Sequence, residues 1–244
     1  MIPKIIHFCW LSGDDYPEKI RYCLNSWSKY LKGYEIRLWD LKRFNLDSSP
    51  WCKEAFEAKK YAFAADYIRC FALYHEGGIY LDSDVEVIKP FDDLLHLPYF
   101  IGKERNANLE PAIMGSEKGW PILKEMLNYY DRRHFKIGEK EYDMVTMPEV
   151  MDIIAKKFYS YKLINKAEDF SVDKDVMNIF EADFFSPKYS NNPHVPISKN
   201  TYCVHHFEAS WYPISKKAYR KLSETFGEKF ANVLSSIYKC IINR

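Results

Sequence analysis

Two aspartates, Asp82 and Asp84, stand two residues apart at the end of the apolar run Ile79-Tyr80-Leu81. In a strand that spacing sends both carboxylates to one face and turns Ser83 to the other. Two hard oxygen ligands at a strand end suit Mg²⁺ or Mn²⁺ carrying a diphosphate, because such ions take few protein carboxylates and leave other positions to water and phosphate oxygens. A D-x-D pair is also the ordinary mark of a solvated strand end, so its neighbours decide the reading. Just upstream, Asp66 and Arg69 are i, i+3 neighbours on a helical stretch. They form either a surface ion pair or a pair beside a ligand, and their place before the D-x-D favours the second. Near the end of the chain His205, His206, Glu208, Ser210 and Trp211 crowd together. Trp10 closes the first apolar run and is either a stacking platform for a base or a core ring.

These residue types meet the needs of a transferase that uses a nucleotide sugar. Trp10 can supply the base platform, Asp82 and Asp84 the metal that holds the diphosphate, and the neutral imidazole of His206 a third ligand. Metal and nearby donors would neutralise the charge that builds on a departing nucleoside diphosphate. No nucleophile with an attendant base is visible, so no covalent intermediate is invoked. Two other readings compete. Ile79 to Val85 also fits the strand-D-x-D-x-V of a haloacid-dehalogenase-type phosphatase, with Asp82 as nucleophile and Asp84 as acid. Such enzymes need a further acidic motif after an apolar strand, and Asp92-Asp93 comes too early and lacks that strand. A lectin-like or scaffolding protein would be indifferent to loss of Asp82.

The elements that must position these groups follow an α/β pattern. Ile2 to Trp10 reads as a buried strand ending in the loop signal Leu11-Ser12-Gly13, the place where open α/β sheets bind nucleotides. Tyr16 to Leu31 carries the stripe Ile20, Cys23, Leu24, Trp27 and Leu31 of an amphipathic helix, and Tyr34 to Trp39 alternates as a second strand. This β-α-β unit predicts a parallel pair with a right-handed crossover. Helices are predicted over Trp51 to Lys60, from Ala64 to the Gly77-Gly78 turn, over Phe91 to Leu97, Ile122 to Tyr130 and Pro148 to Tyr159. Strands are predicted at Val85 to Ile88, Tyr99 to Gly102, Ala112 to Gly115, Tyr161 to Ile164, Val176 to Phe180 and Thr201 to His206. Between them, Lys103 to Pro111 is a polar loop offering Glu104, Asn106 and Asn108; Asp131 to Asp143 reads as a solvated segment, and Ser186 to Pro196 as a loop around Tyr189. From Lys216 the tail has apolar residues every three to four positions among lysines. That is a helix that packs on the sheet or lies on a membrane surface.

The whole 244 residues suit one domain with a substantial core. Residues 1–100 form the nucleotide-sugar half, 101–214 the acceptor side and the closure of the metal site, and 215–244 the terminal amphipathic helix. Lys+Arg 35 against Asp+Glu 34 gives a formal net charge of +1, so no global field points to nucleic acid. Aromatic content is 17%, enough for some rings to line a site for flat or apolar ligand faces. The six cysteines are scattered without a C-x-x-C pair. Together with an amino terminus that carries no signal-peptide pattern, they argue for a reducing, cytoplasmic setting. The apolar runs fall short of a membrane span, which leaves at most peripheral contact at the inner face of a membrane.

Three stretches, IPKIIHFCW, AADYIRCFALYHEGGIYLDSDV and HHFEASW, together resemble glycosyltransferase family 32, the D-x-D sugar transferases. That family includes bacterial capsule and cell-surface glycan enzymes and fungal Golgi mannosyltransferases, and the pattern is similar to the glucosyltransferase domains of clostridial toxins. The resemblance is dense over the first ~90 residues and loose over 100 to 200. It implies a GT-A fold, a Rossmann-like mixed central sheet with flanking helices and a C-terminal helix. It further implies Mn²⁺ or Mg²⁺ dependence, and transfer of a hexose with retention at the anomeric carbon. By the same resemblance the donor would be a UDP-sugar, with GDP-mannose the alternative since a Trp platform accepts either base, and the acceptor an oligosaccharide or lipid-linked glycan of a capsule or cell surface. By motif, Trp10 falls on the base-stacking Trp with Phe8 beside it, Asp66 and Arg69 on residues that hold the donor sugar, and Tyr80 on a nucleoside-contacting Tyr. Asp82 and Asp84 fall on the metal pair with Ser83 between them, His206 on a metal-site position, and Ser210 and Trp211 near the diphosphate. Some relatives close the metal site with an acidic residue, so His205 and Glu208 remain alternatives to His206.

Overall fold

The computed structural model describes residues 1–104, 109–187 and 196–208. Its centre is a seven-stranded sheet in the order β2-β1-β3-β6-β5-β8-β7. The strands are β1 (Ile5–Cys9), β2 (Glu35–Trp39), β3 (Gly78–Leu81), β5 (Tyr99–Gly102), β6 (Glu110–Ser116), β7 (Ser160–Ile164) and β8 (Val176–Phe180). β1 is parallel to β2 and β3, and β8 is parallel to β5 and β7. Only β6 runs against its neighbours, pairing antiparallel with both β3 and β5. Two short strands outside this sheet, β4 (Val85–Val87) and β9 (Cys203–His205), make a separate antiparallel pair. A mixed sheet flanked by helices is the architecture expected of a GT-A fold.

Helices cover both faces, which is why every residue of β3 and β6 is buried, the carboxylate Glu110 at the head of β6 included. On one face α2 (Pro50–Glu57), α3 (Tyr61–Glu76), α4 (Pro121–Asp131) and α5 (Met147–Ala155) share a core around Trp51, Tyr80, Met114 and Tyr130. On the other, α1 (Glu18–Tyr30) packs Trp27 among Ile6, Phe8, Ile79, Leu81 and Val85. A short α6 (Ala182–Phe185) follows β8. Side-chain alternation in β1 decides the split, Ile6 and Phe8 entering the second core and Cys9 the first. Phe8 is thereby a core ring, edge-on to Trp27 at 5.3 Å, and not a nucleotide contact as the family pattern implied.

Most element positions follow the sequence, but the helix predicted over Phe91 to Leu97 is only a single 3-10 turn at Asp92–Leu94, and one segment read as solvated is not. Asp131 to Asp143, read as solvated, inserts Phe135 fully into the core beside Trp51 and Phe63, each at 5.2 Å between ring centroids. Its charged side chains are exposed except that of Asp143, which is buried and accepts from the Arg133 Nε at 3.1 Å. The described cysteines Cys9, Cys23, Cys52, Cys70 and Cys203 are all free and buried. No helix among the described residues is long and apolar enough to cross a membrane. Residues 215–244, predicted as a helix, lie outside the described residues.

The joint between α3 and β3 is the fold's tightest place. Gly77 and Gly78 take φ of 67° and 105°, conformations that cost little only for glycine. A Cβ on Gly78 would meet the Ile5 carbonyl oxygen at 2.7 Å, so β3 lies beside β1 only because that position is bare. Gly78→Ala is expected to lose about 1–3 kcal/mol from backbone conformation alone, before the clash is counted. A urea midpoint equal to that of the parent chain would contradict this packing.

Candidate active site

The D-x-D pair does not converge through strand alternation. β3 ends at Leu81, and Asp82 to Val85 form a tight turn in which the Val85 N–H donates to the Asp82 carbonyl at 3.0 Å. The strand expectation therefore gives way to a turn, with the half-buried Ser83 in its middle. Asp82 is anchored by its own N–H, which donates to the Ala112 carbonyl at 2.9 Å. Asp84 is anchored from the far end of the chain: the Glu208 N–H donates to its Oδ2 at 2.8 Å, and the His206 N–H to its carbonyl at 3.1 Å.

The pairing register of β4 with β9 sets Val85 opposite His205. This brings His205 Nε2 to 3.5 Å from Asp84 Oδ1. Asp82, Asp84 and His205 each offer a ligand atom, and the three atoms lie within 4.8 Å of one another. Two carboxylate oxygens and one imidazole nitrogen are a donor set that fits Mn²⁺ or Mg²⁺. The preference for His206 as third ligand is corrected here. Its Nε2 lies 2.9 Å from Glu86 Oε2, whose other oxygen accepts from the Tyr22 hydroxyl at 2.5 Å. Glu208 enters through its backbone N–H.

Beside this group sits a buried guanidinium. Arg69 Nη2 is 3.1 Å from both Asp66 Oδ1 and Asp82 Oδ1, and Nη1 donates to the Pro111 carbonyl at 2.8 Å. The i, i+3 pair of α3 is thus extended to the end of β3. Arg69 lies over the Tyr80 ring at 4.6 Å, while its Nε is buried without a partner among the described residues. Burial pushes Asp66 up to about 7, with Arg69 opposing the shift and Asp82 adding to it. Burial of its carboxylate likewise raises Asp82 against the pull of Arg69, although the side chain keeps 27% of its surface open. Asp84 goes the other way: burial works against its charge, but His205 and the Glu208 N–H hold it below the usual carboxylate range. His205 is raised well above an ordinary histidine, because Asp84 and Glu110 outweigh its burial. Carboxylates crowded in this way call for a cation.

Of the remaining residues, Trp10 stands half-buried just past β1, its Nε1 donating to the Asp14 carbonyl at 2.7 Å and its ring edge-on to Tyr16 at 5.0 Å. Tyr80 is a correction: its ring is fully buried beneath Arg69, so it supports that side chain from the core instead of facing a nucleoside. Ser210, Trp211, Asn106 and Asn108 lie outside the described residues. Sequence reasoning missed Glu110. It heads β6, is buried, and its Oε2 lies 3.3 Å from His205 Nδ1. The available signal was a lone carboxylate at the head of the otherwise uncharged stretch Pro111 to Ser116. Nearby, Glu104 is pushed up to about 7 by burial, then by Glu110.

Residues 17–101 match the family described as the glycosyltransferase sugar-binding region containing the DXD motif. The chain is 33% identical over 138 residues to inositol phosphoceramide mannosyltransferase 3 of Schizosaccharomyces pombe, a match covering 55% of this chain and 38% of that protein. It is 25% identical over 225 residues to the uncharacterized glycosyltransferase L373 of Acanthamoeba polyphaga mimivirus, covering 87% of this chain and 85% of that one. Among solved structures, the PaToxG glycosyltransferase aligns at a TM-score of 0.49 with 21% identity, over 64% of this chain and 68% of that one. The chain spans less than two-fifths of the length of the fungal relatives, covering 38%, 37% and 39% of three of them.

Asp66 gives the site a pH signature. Its proton is held up to about 7 in the fold, whereas the unfolded chain loses it near the ordinary aspartate value of about 3.9. Native protein therefore binds the extra proton between those limits, and Asp66 makes stability fall as pH rises through them. Asp66→Asn is expected to gain on the parent chain by roughly 2–3 kcal/mol between about pH 5 and pH 8. Denaturant midpoints at the two pH values measure it, and an offset independent of pH contradicts the burial of this carboxyl.

Proposed function

We propose that the chain is a glycosyltransferase of the kind whose sugar-binding region contains the DXD motif, which its residues 17–101 match, and that it moves a hexose from a nucleotide sugar to a hydroxyl of a glycan or glycolipid acceptor. The observation that carries this is the meeting of Asp82, Asp84 and His205, drawn from the first third and the end of the chain, beside the buried Asp66–Arg69 pair. A divalent cation held by these three side chains would supply charge neutralisation for the donor's diphosphate.

The chain's own groups divide the remaining work. Asp66 and Arg69 adjoin the D-x-D turn, with Arg69 Nη2 3.1 Å from both Asp66 Oδ1 and Asp82 Oδ1. A guanidinium and a carboxyl at that point are suited to a donor and an acceptor for sugar hydroxyls. The fixed positive charge of Arg69 also counters charge arriving on a leaving phosphate. Trp10, half-exposed beyond β1, is suited to stack on a base. Retention at the anomeric carbon is proposed from the family resemblance alone, and no side chain is assigned as a covalent nucleophile. The phosphatase alternative is disfavoured because Asp82 Oδ1, its would-be nucleophile, is engaged by Arg69 at 3.1 Å.

Two donors merit testing. UDP-hexose is favoured by the wider family resemblance, while GDP-mannose is favoured by the fungal relatives, which are named inositol phosphoceramide mannosyltransferases. Incubation with a panel of nucleotide sugars and Mn²⁺ is expected to release nucleoside diphosphate from one of them. Chelation should abolish the release, and Asp82→Asn or Asp84→Asn should lower it by at least about 100-fold. Release from no nucleotide sugar, or Asp84→Asn equal to the parent chain, overturns the reading.

A further inference from the structure

We propose that Glu110 is a positioning residue for the cation site, holding the Nδ1–H of His205 so that Nε2 is presented beside Asp82 and Asp84. The inference rests on the proposed reading of those three side chains as cation ligands. An imidazole binds a cation through a deprotonated nitrogen, and the hydrogen bond made by the other nitrogen fixes which one that is. His205 Nδ1 lies 3.3 Å from Glu110 Oε2, while its Nε2 is turned to Asp84. Glu110 is not among the three residues whose ligand atoms gather within 4.8 Å, so its place is behind the histidine.

Glu110 is itself held on two sides. Its Oε1 accepts from the Ala112 N–H at 3.2 Å, and its Oε2 accepts from the Ser186 hydroxyl at 3.0 Å. A carboxylate only 2% exposed is costly unless its partners are in place, and these partners come from β6, from the chain just after α6, and from β9. The start of β6 also serves the rest of the site. The Pro111 carbonyl accepts from Arg69 and the Ala112 carbonyl accepts from the Asp82 N–H. Three consecutive residues thus brace the guanidinium, one aspartate and the histidine. A purely structural ion pair would need none of that convergence.

The test is calorimetric titration of the full chain with Mn²⁺ alone, paired with ¹⁵N-histidine NMR in Mg²⁺. Glu110→Gln has one oxygen where the parent has two, so it cannot serve both the Ala112 N–H and His205. It is expected to weaken Mn²⁺ binding by about 10–100-fold while its unfolding midpoint stays cooperative. Ser186→Ala, a milder change, should weaken it several-fold. The NMR spectrum of the parent chain should place the remaining His205 proton on Nδ1, and Glu110→Gln should blur that preference. Glu110→Gln folded and binding Mn²⁺ as the parent does overturns the inference; if that variant does not fold, unchanged binding by Ser186→Ala overturns it. His205→Ala and Asp84→Asn separate the two levels. If they weaken binding and the Glu110 and Ser186 variants do not, only the role of Glu110 fails. If they too bind as the parent does, or if the parent binds no Mn²⁺, the cation site itself fails and the inference with it.

Discussion

The structure depends on gathering like charges at one point and keeping them there. Asp66, Asp82, Asp84 and Glu110 all come together around Arg69 and His205, and only Asp82 keeps much contact with water. Carboxylates taken out of water repel one another and each prefers to be protonated. The protein opposes this with the Arg69 guanidinium, with the His205 imidazole between Asp84 and Glu110, and with backbone N–H groups from Ala112 and Glu208. These restraints come from three separate segments, α3, β6 and the end of the chain at β9, so the site cannot form until all three have met the turn after β3.

That requirement accounts for the less regular parts of the fold. The two glycines after α3 let the chain reverse so that Arg69 looks back on Asp82, thirteen positions downstream. The reversed direction of β6 brings its first residues, rather than its last, to the carboxyl end of β3. The small β4–β9 pair lies outside the main sheet, and α1 fixes it through the Trp27 indole N–H on the Val85 carbonyl at 2.7 Å. Regular structure elsewhere in the chain is scaffolding for this meeting.

Much of this was legible in the residues. Apolar periodicity located most of the helices, and Pro98 with Gly102 bounded the strand Tyr99 to Gly102, while Val176 to Phe180 was legible as a short apolar run and is a strand over that span. The D-x-D, the Asp66–Arg69 pair and the histidine cluster were visible as types and spacings. What could not be read was set by long-range register. Whether His205 or His206 faces the aspartates depends on how β9 aligns with β4, more than a hundred residues away, and a slip of one residue would exchange them. Phe8 illustrates the same parity: one position along β1 separates the two cores. Glu110 was hidden for a different reason, since an acidic residue next to a polar loop looks solvated until a strand buries it.

The buried thiols carry a consequence of their own. Cys9 lies beneath the Arg69–Tyr80 stack, and its thiol is pushed up to about 12 by burial, so in the closed fold it is neither ionised nor reachable. Cys203 sits in β9 next to the histidines and is equally enclosed. An alkylating reagent can therefore modify either sulfur only while its surroundings are transiently open. The two rates form a native chemical stopwatch, one hand timing separations of α3 from the sheet and the other timing departures of the terminal strand.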